Sequence, residues 1–593
     1  MRQVASLDGT ILNFRSDTAR LTWIAAALLA LAGAQARADI RIELTGVEGP
    51  MRDNVLAYLS LQRYAQRDDL DAAMIERLFQ RATNEAQDAL RPFGYYDARI
   101  RSHLTPDGKN WRVLLRIDPG TPVILASADV KVTGPGADDG AFRRVIEQSS
   151  LSAGTRLNHA EYDRTKGELQ RTAAAIGYLD ARFLANELRV DPAAHIASAT
   201  LELDTGPRYH FGKTTIEQDV IDQRLFRKYL RYRESDYYDA FAVLGTQFAL
   251  DDSQYFSVVE VSPGERDPKT LTVPINIRAE PVRRNRYSIG FGYGTDTKFR
   301  ATLGWDDRRI NQAGHRSRVT LKASSITREI DGQYQIPIGD PAFEKLSLDT
   351  TIGTQQLADV DTSTVELRPG LTQVLGSWQR VLFVRFTHTT TETSTQRSTA
   401  NLVIPGISFA PLASRMLAQP FVGGGFYAEL TGSHHALGSD SNYLRLDVQD
   451  EKRFDLSTRW HLITRGELGL SLVGNFSELP ASERFFAGGD RSVRGFGLNE
   501  LSPVDAAGNK VGGRYLIVGS LEIERDLPRR LAIAAFVDAG NAVDKLGDPL
   551  EYSVGIGLRY KLPVLSIGLD VAQALSESGL GPRLHLNITP NIK

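Results

Sequence analysis

The sequence contains no cysteine among its 593 residues, which excludes disulfide bonds, thiolate zinc sites and a cysteine nucleophile. It also lacks an excess of either charge, with 70 Lys and Arg against 72 Asp and Glu. That balance argues against a nucleic-acid binder, because such proteins usually carry a basic excess. Past the N-terminal region there is no apolar run of the roughly 18 residues that a membrane-spanning helix needs. A membrane role would therefore have to come from strands.

The N-terminal region has the pattern of a secretory signal peptide. Three arginines precede an apolar stretch from Leu21 to Leu31, and Ala36-Arg37-Ala38 then offers a small-x-small cleavage site. The apolar stretch is too short for a membrane anchor. The pattern predicts that residues 1–38 are a signal peptide and that the mature chain is exported.

An internal repeat follows the predicted cleavage site. The segment Gly94-Tyr95-Tyr96-Asp97-Ala98-Arg99 recurs as Gly177-Tyr178-Leu179-Asp180-Ala181-Arg182, a period of about 80 residues that suggests arrayed structural units. Each copy follows a helical pattern and opens a strand pair. Each pair closes in a turn-rich joint, at Asp118 to Pro122 and at Asp204 to Pro207.

The element order within one unit predicts small α+β domains. Alternating apolar residues from Ile40 to Leu44 indicate a strand, and apolar residues at helical spacing indicate two helices after it. A hairpin with Asp107-Gly108 as its turn closes the unit. The order β-α-α-β-β predicts three domains and none of them looks catalytic, so the protein is not expected to be an enzyme. The predicted domain boundaries are 39–120, 121–207 and 208–282.

From Arg283 onwards the chain becomes short alternating segments separated by turns. Tyr287, Ile289 and Phe291 alternate with small residues, and the segments from Tyr552 to Tyr560 and from Leu565 to Val571 do the same. One apolar face and one small or polar face is typical of a transmembrane β-strand, and such a sheet must close on itself to pair its backbone. About sixteen such segments fit, so residues 283–593 are predicted to form a sixteen-stranded antiparallel barrel. A soluble sandwich or propeller is the alternative, but its strands would usually carry polar side chains on the outside.

One connection, from about Gly474 to Gly513, is too long for an ordinary turn, and such loops are usually functional or disordered. It contains Arg494, whose planar guanidinium binds carboxylates in a fork. Glycines within it permit tight backbone geometry. The candidate motif residues of this lid loop are Gly488, Gly489, Val493, Arg494, Gly495 and Phe496.

Strand parity identifies partners for Arg494. In the strand that begins at Arg530, the apolar residues Leu531 to Val537 face out on alternate positions, which points Phe536 and Asp538 inward, with Gly540 after them. The preceding strand likewise points Glu522 inward. A buried arginine needs such carboxylates, since an unpaired buried charge is costly. We therefore expect the loop to fold into the barrel and Arg494 to pair with Asp538, with Glu522 nearby.

Simpler interpretations of these residues are alternatives to that hypothesis. The inward carboxylates would also suit the charged lumen of a passive porin. A phosphate cradle would need a helix after the glycine-rich loop, and none is predicted there. There is no Gly-x-Ser-x-Gly nucleophile motif, and His434-His435 fits an exposed loop better than a metal site. No metal or other cofactor is predicted.

The motifs together resemble the BamA/TamA superfamily of outer-membrane assembly factors, whose members carry POTRA (polypeptide-transport-associated) domains before a barrel. Val493-Arg494-Gly495-Phe496 matches its lid-loop motif V-R-G-[FY], and Phe536-Val537-Asp538-Ala539-Gly540 matches its strand motif F-x-D-x-G. The resemblance covers nearly the whole mature chain. It implies that the lid arginine contacts the strand aspartate inside the barrel and that Glu522 occupies a lumen-facing glutamate position.

Three POTRA units are most similar to the TamA branch of the superfamily. That resemblance implies a Gram-negative outer-membrane location with periplasmic POTRA domains. It also implies a TamB-like inner-membrane-anchored partner, contact with the lipid bilayer, and unfolded outer-membrane proteins or autotransporters as clients. The alternatives are a two-partner secretion transporter and a passive porin. No nucleic acid is expected as a partner.

The first and last strands should form a weak lateral seam. The first is rich in glycine, and the last is short and ends near Pro590, which cannot donate to the ladder. A seam that opens would expose backbone edges to which a client strand can add. The candidate seam residues are Tyr287, Gly290, Gly292, Leu584, Leu586 and Pro590.

Overall fold

The computed structural model describes residues 40–65, 70–107, 110–412, 425–563 and 565–590. The predicted signal peptide and the turn residue Gly108 lie outside these residues. No helix among the described residues has the length and apolar character needed to cross a membrane.

The first domain contains a three-stranded sheet in the order β1-β3-β2, in which β1 is parallel to β3. Its strands are β1 (Ile40–Thr45), β2 (Arg99–Asp107) and β3 (Asn110–Asp118). Its helices are α1 (Gly49–Tyr58), α2 (Ser60–Tyr64) and α3 (Ala72–Leu90). The predicted first helix is divided in two, because Leu59 has an extended backbone and buries its side chain completely.

Helix α3 shows why these residues fold as they do. Asp71 caps its first turn by accepting a hydrogen bond from the Met74 amide at 2.6 Å. Ile75, Leu78 and Ala82 recur at helical spacing and bury one face in the core of the domain. The helix therefore covers one side of the sheet.

The second and third domains repeat this strand order, as β4-β6-β5 and β7-β9-β8. The second comprises β4 (Ile124–Thr133), α4 (Gly140–Gln148), α5 (His159–Ala175), β5 (Arg182–Asp191) and β6 (Ile196–Asp204). The third comprises β7 (His210–Glu217), α6 (Gln223–Arg227), α7 (Ala240–Asp251), β8 (Phe256–Pro263) and β9 (Thr272–Pro281). The predicted three α+β units are confirmed.

The repeated Gly-Tyr motif joins one unit to the segment that follows it. The carbonyl oxygen of Gly94 accepts a hydrogen bond from the Val123 amide, and that of Gly177 accepts one from the Tyr209 amide, both at 2.8 Å. Both glycines have positive φ, at 85° and 97°, which favours glycine. The repeated motif therefore fixes the connection to the following segment as well as the fold of its own domain.

The C-terminal region forms a closed antiparallel barrel, in which the described residues supply sixteen strands, as predicted. The first eight are β10 (Asn285–Gly294), β11 (Lys298–Asp307), β12 (Arg316–Ala323), β13 (Thr327–Pro337), β14 (Glu344–Leu357), β15 (Val360–Leu375), β16 (Trp378–Glu392) and β17 (Arg397–Pro411). The second eight are β18 (Tyr427–Ser433), β19 (Tyr443–Asp455), β20 (Trp460–Val473), β21 (Tyr515–Asp526), β22 (Leu531–Val543), β23 (Glu551–Lys561), β24 (Leu565–Ala574) and β25 (Arg583–Pro590).

Side chains alternate between the two faces of the barrel wall. On β21 and β22, Leu521 and Val537 are exposed on the outside, whereas Glu522 and Phe536 are buried on the inside. Exposed apolar residues recur around the exterior, among them Ile289, Leu303, Ile330, Ile352, Leu468 and Ile556. An apolar outer face and a polar inner face suit a barrel surrounded by lipid.

Residues 211–236 and 241–593, which include most of the third domain and the barrel, form one compact unit. Tyr255 donates a hydrogen bond to the carbonyl oxygen of Gly314, in the β11–β12 turn. The Asp222 amide donates to the carbonyl oxygen of Gln312 in the same turn, at 2.8 Å. Arg231 pairs with Asp340 in the β13–β14 turn. The third domain is therefore fixed to the end of the barrel at which β10 begins, called here the N-terminal rim.

Candidate functional site

The connection between β20 and β21, residues 474–514, packs inside the barrel rather than extending from it. Phe485, Val493 and Phe496 are buried in one apolar cluster with Leu516 and Val518 of the adjoining strand β21. The Phe496 side chain is only 1 % exposed, so this segment is almost fully enclosed. The loop, called here the lid loop, is thus a packed part of the lumen.

Arg494 anchors the lid loop to the barrel wall. Its Nε and Nη2 donate to the two carboxylate oxygens of Asp538 at 2.8 and 2.9 Å, and its Nη1 donates to Glu522 at 2.7 Å. Its Nη2 also lies 3.2 Å from the Ser520 hydroxyl, and its guanidinium carbon lies 3.2 Å from the centroid of the Phe536 ring. Because Arg494 is 1 % exposed, these contacts replace its whole hydration shell.

A wider ionic network surrounds this pair. Arg465 on β20 and Arg559 on β23 both donate to Glu522, at 2.9 and 3.2 Å. Arg559 also pairs with Asp570 on β24. With Arg494 and Asp538, the network has three cations and three carboxylates, so the enclosed charge is balanced across strands β20 to β24.

The glycines of both motifs occupy positions with no room for a side chain. A Cβ atom on Gly495 would lie 2.7 Å from the Cβ of Ser553, and one on Gly540 would lie 2.6 Å from the carbonyl oxygen of Ile517. Gly488 and Gly489 have φ near 100° and tight surroundings, conditions that favour glycine. The missing side chain therefore permits close approach of the lid loop to β23 at Gly495 and of β22 to β21 at Gly540.

A second ion pair holds the lid loop to another part of the wall. Glu483, almost fully buried, lies 3.1 Å from the Arg385 guanidinium on β16. Nearby, Leu479 packs in a cluster with Leu402, Ile404 and Tyr443. The loop is thus attached to strands on two sides of the lumen.

A third contact connects the lid loop to the last strand. Both ring nitrogens of His585 on β25 face acceptors, the carboxylate of Asp490 and the carbonyl oxygen of Arg494. Both nitrogens must then donate, which identifies the ring as the imidazolium. The Asp490 amide in turn donates to Asp296, in the β10–β11 turn, at 3.1 Å. One stretch of the lid loop therefore contacts both the first hairpin and the last strand of the barrel.

The seam between those strands has a short register. Among the described residues, β10 and β25 pair only at Tyr293 with Ile588 and at Gly294 with Asn587. By contrast, β10 pairs with β11 along its whole length. The Thr295 amide adds one hydrogen bond to the Leu586 carbonyl at 3.0 Å.

Some of the predicted seam residues lie at this contact between β10 and β25, and the others pair with β11 or β24. Leu586 accepts the Thr295 hydrogen bond, and a Cβ atom on Gly292 would lie 2.9 Å from the Ile588 carbonyl oxygen. Tyr287 and Gly290 lie on β10 at positions that pair with β11 but with no described residue of β25. Leu584 and Pro590 are paired with β24, opposite Val571 and Leu565.

Two groups of carboxylates and histidine place their ligand atoms close together, Asp296–Asp490–His585 and His461–Glu524–Asp526. In each group the histidine already bonds protein acceptors through both nitrogens, His461 to Asp455 and Asp526. These protein hydrogen bonds account for the ring positions, and we assign no ion to either group.

The alternation of residues along the strands predicted that Phe536, Asp538 and Glu522 face the inside of the barrel, and the structure brings all three to Arg494. It did not identify Arg465, Arg559 or Asp570, although the last two stand on the polar side of alternating strands. It gave no signal for Glu483 or His585, whose partners lie far away in the chain. His434 and His435 lie in the connection between β18 and β19, as the exposed-loop interpretation expects.

Comparison with family profiles gives two matches. The Omp85 superfamily domain matches residues 283–580, which is the barrel region with its lid loop. The first POTRA domain of TamA matches residues 41–119, which is the first α+β domain. The two matches lie in different parts of the chain, one in the first α+β domain and one in the barrel region.

Two individual proteins show the extent of the similarity. The outer membrane protein assembly factor BamA of Nitratidesulfovibrio vulgaris is 29% identical over 138 residues, which cover 22% of this chain and 17% of that protein. The crystal structure of BamA from Haemophilus ducreyi lacking POTRA domains 1–3 superposes with a TM-score of 0.63 at 16% identity, covering 79% of this chain and 99% of that one. The second comparison concerns the fold alone.

Proposed function

Because the chain belongs to the Omp85 superfamily, we propose that it assembles β-barrel proteins in the membrane through a laterally opening seam. The protein resides in the outer membrane of a Gram-negative bacterium, with its POTRA domains in the periplasm. It acts on unfolded outer-membrane proteins, whose strands must be paired before they can remain in lipid.

The short register between β10 and β25 is the observation that carries this proposal. Tyr287 and Gly290 stand on a strand whose other edge has no partner in β25 among the described residues at their level. An unpaired strand edge is a template for another strand. A client strand that adds to β10 satisfies its own backbone without entering lipid unpaired.

The lid loop provides a part of the barrel that stays fixed while the seam opens. It contacts the β10–β11 turn through Asp490 and the last strand through His585. Its main anchor is the Arg494 side chain, which binds Asp538 on β22 and Glu522 on β21, two strands that do not form the seam. The β10 edge can therefore separate from β25 while the loop stays attached to the wall.

Within the superfamily, we assign the chain to the TamA branch. The support is the match of the first domain to the TamA profile and the presence of three α+β domains before the barrel. On this assignment its periplasmic partner is a TamB-like protein anchored in the inner membrane, and its clients include autotransporters. A passive porin is less well supported, since ion pairs attach the lid loop to two sides of the lumen.

Crosslinking from the first strand tests the proposal. A photoreactive amino acid at Tyr287 or Gly290, in cells that express an outer-membrane client, should capture that client during its assembly. The matched control for Tyr287 is Ile556 on β23, which is also on the outer face and is 67 % exposed. Capture of clients at both places, or at neither, would contradict assembly at the seam. Capture of one dedicated secreted protein in the lumen would favour two-partner secretion.

A further inference from the structure

Helix α7 of the third domain exposes an apolar face. Phe241, Leu244 and Phe248 follow one another at intervals of three and four residues, which places them on one side of the helix. They are 70 %, 46 % and 61 % exposed. The opposite side, with Val243, Thr246 and Leu250, is buried in the domain. The exposed face is therefore not part of the core of this domain.

The composition of α7 differs from that of an ordinary surface helix. From Ala240 to Leu250 it contains no charged residue, and Asp251 at its last position is the first. A solvent-facing helix usually carries charged or polar residues on its outer side. Contiguous apolar surface of this kind marks a contact with a protein or a membrane.

Contacts with the barrel indicate which of the two, a protein or a membrane, covers the exposed face of α7. Arg231 touches α7, since its amide donates to the Thr246 hydroxyl at 2.9 Å and its side chain lies beside Gly245. The same arginine pairs with Asp340, and its guanidinium lies 4.8 Å from the centroid of the Phe343 ring. Helix α7 is thus one side chain away from the β13–β14 turn.

Phe343 is an exposed aromatic residue of the β13–β14 turn, at the N-terminal rim. Exposed tryptophans lie at the rim ends of three strands: Trp305, Trp378 and Trp460. Aromatic girdles in membrane barrels lie at the level of the lipid headgroups. The contact through Arg231 therefore places α7 near the headgroup level of the leaflet that faces the periplasm.

We propose that the Phe241–Leu244–Phe248 face of α7 inserts into the periplasmic leaflet of the outer membrane beside the barrel. Its occupants are phospholipid acyl chains, which cover the apolar face as they cover an interfacial amphipathic helix. The insertion fixes the third domain at the membrane surface, in addition to its ion pair with the barrel turn. It goes beyond the proposed assembly function and does not depend on it.

Site-directed fluorescence tests the insertion, and the absence of native cysteine makes the labelling specific. The full chain carries Leu244→Cys or Phe248→Cys, labelled with an environment-sensitive dye and reconstituted into vesicles of phosphatidylethanolamine and phosphatidylglycerol. The control is Val258→Cys on β8, an apolar residue of the same domain that is 55 % exposed. Quenching by lipids with a nitroxide on the acyl chain reports contact with the membrane.

Insertion predicts a blue-shifted emission and several-fold stronger lipid quenching at positions 244 and 248 than at position 258. Equal quenching at all three positions, or quenching of none by lipid nitroxides, overturns the proposal. Shielding of position 248 that appears only after a periplasmic protein is added also overturns it, in favour of a protein partner. Retention of the heat-modifiable gel shift of the folded barrel confirms that each labelled variant is folded.

Discussion

The Asp538 carboxylate accepts three hydrogen bonds from Arg494, from Nε at 2.8 Å, from Nη2 at 2.9 Å and from the backbone amide at 3.1 Å. Asp538 is 0 % exposed, so this one contact fixes both the side chain and the main chain of the lid loop. A side chain held only by its tip would leave the backbone free to move. The residue pair is therefore a positional lock as well as an ion pair.

Replacement of Arg494 by alanine is expected to destabilise the barrel strongly. It would leave Asp538 and Glu522 buried with a missing cation, and loss of one partner from a buried ion pair costs about 3–5 kcal/mol. The measurement is the midpoint of guanidinium unfolding in detergent, together with the temperature at which the heat-modifiable gel shift is lost. Arg494→Lys should retain part of the stability, because lysine keeps the charge but not the planar fork.

Arg491→Ala is the control for that substitution. Arg491 is three residues away in the same loop, but its side chain is 55% exposed and lies 3.5 Å from Glu451. An exposed ion pair contributes about 0–1 kcal/mol, so the unfolding midpoint should barely change. Equal stability of the Arg494→Ala and Arg491→Ala variants would refute the lock.

The sequence carried enough information for the fold because the fold depends on local periodicity. Alternation of large apolar with small residues along β23 and β24 requires a two-faced sheet, and the Gly-Tyr repeat marks the joints that follow the first and second α+β domains. The division of the first helix at Leu59 was not predictable in this way. Its apolar spacing continues without interruption, and only the buried, extended backbone at that residue ends the helix.

The site was only partly accessible from the sequence, for a geometric reason. Parity states which face a side chain occupies, and it placed Glu522 and Asp538 inside. It does not state the height of a residue in the barrel, so it could not show that Arg559 reaches Glu522 across the intervening strand β22. Glu483 and Arg385 are 98 residues apart, and their pairing depends on the path of a loop that has no periodicity.

A disulfide across the seam is expected to block assembly of clients. Tyr293 and Ile588 are opposite residues of β10 and β25, and Cβ atoms of such cross-strand pairs lie about 4.5–5.5 Å apart, near the separation that a disulfide spans. In the Tyr293→Cys, Ile588→Cys variant, oxidation should abolish client assembly in cells, and a reductant should restore it.

The matched control joins two strands that need not separate. Ile289 and Leu303 are opposite residues of β10 and β11, and both are exposed on the outer face. A disulfide between cysteines at these positions should leave client assembly unchanged. Normal assembly with the β10–β25 disulfide fully formed would falsify opening at this seam.

Replacement of His585 by alanine should loosen the last strand from the lid loop. The imidazolium donates to Asp490 and to the Arg494 carbonyl, and hydrogen bonds that involve a charged group contribute about 1.5–3 kcal/mol. The expected result is a lower unfolding midpoint and more crosslinking of clients from Tyr287. His388→Ala is the control, because His388 on β16 is exposed and bonds Asn401. An equal fall in the unfolding midpoint of both variants would mean that the contact of His585 with the lid loop has no special role.

Asp296, in the β10–β11 turn, should make the stability of this region depend on pH. Burial, and then the negative charge of Asp490, raise the pKa of Asp296 above its ordinary value. Between the ordinary and the raised pKa, the folded protein holds a proton that the unfolded chain has released. The free energy of unfolding therefore falls as the pH rises through this interval. Above it, the ionised carboxylate destabilises the folded state.

Asp296→Asn is accordingly expected to stabilise the barrel at neutral pH. Asparagine removes the charge beside Asp490 but keeps an oxygen that accepts the Asp490 amide hydrogen bond, now 3.1 Å long. The gain in unfolding midpoint over the wild type should be largest above the raised pKa of Asp296 and should narrow as the pH is lowered towards the ordinary aspartate pKa, because the wild-type carboxyl takes up its proton as the pH falls. Asp361→Asn, at an exposed position at the start of β15, controls for a general effect of removing one negative charge. A gain that is the same across this pH range, or that appears equally in the control, would show that the charge of Asp296 does not oppose folding.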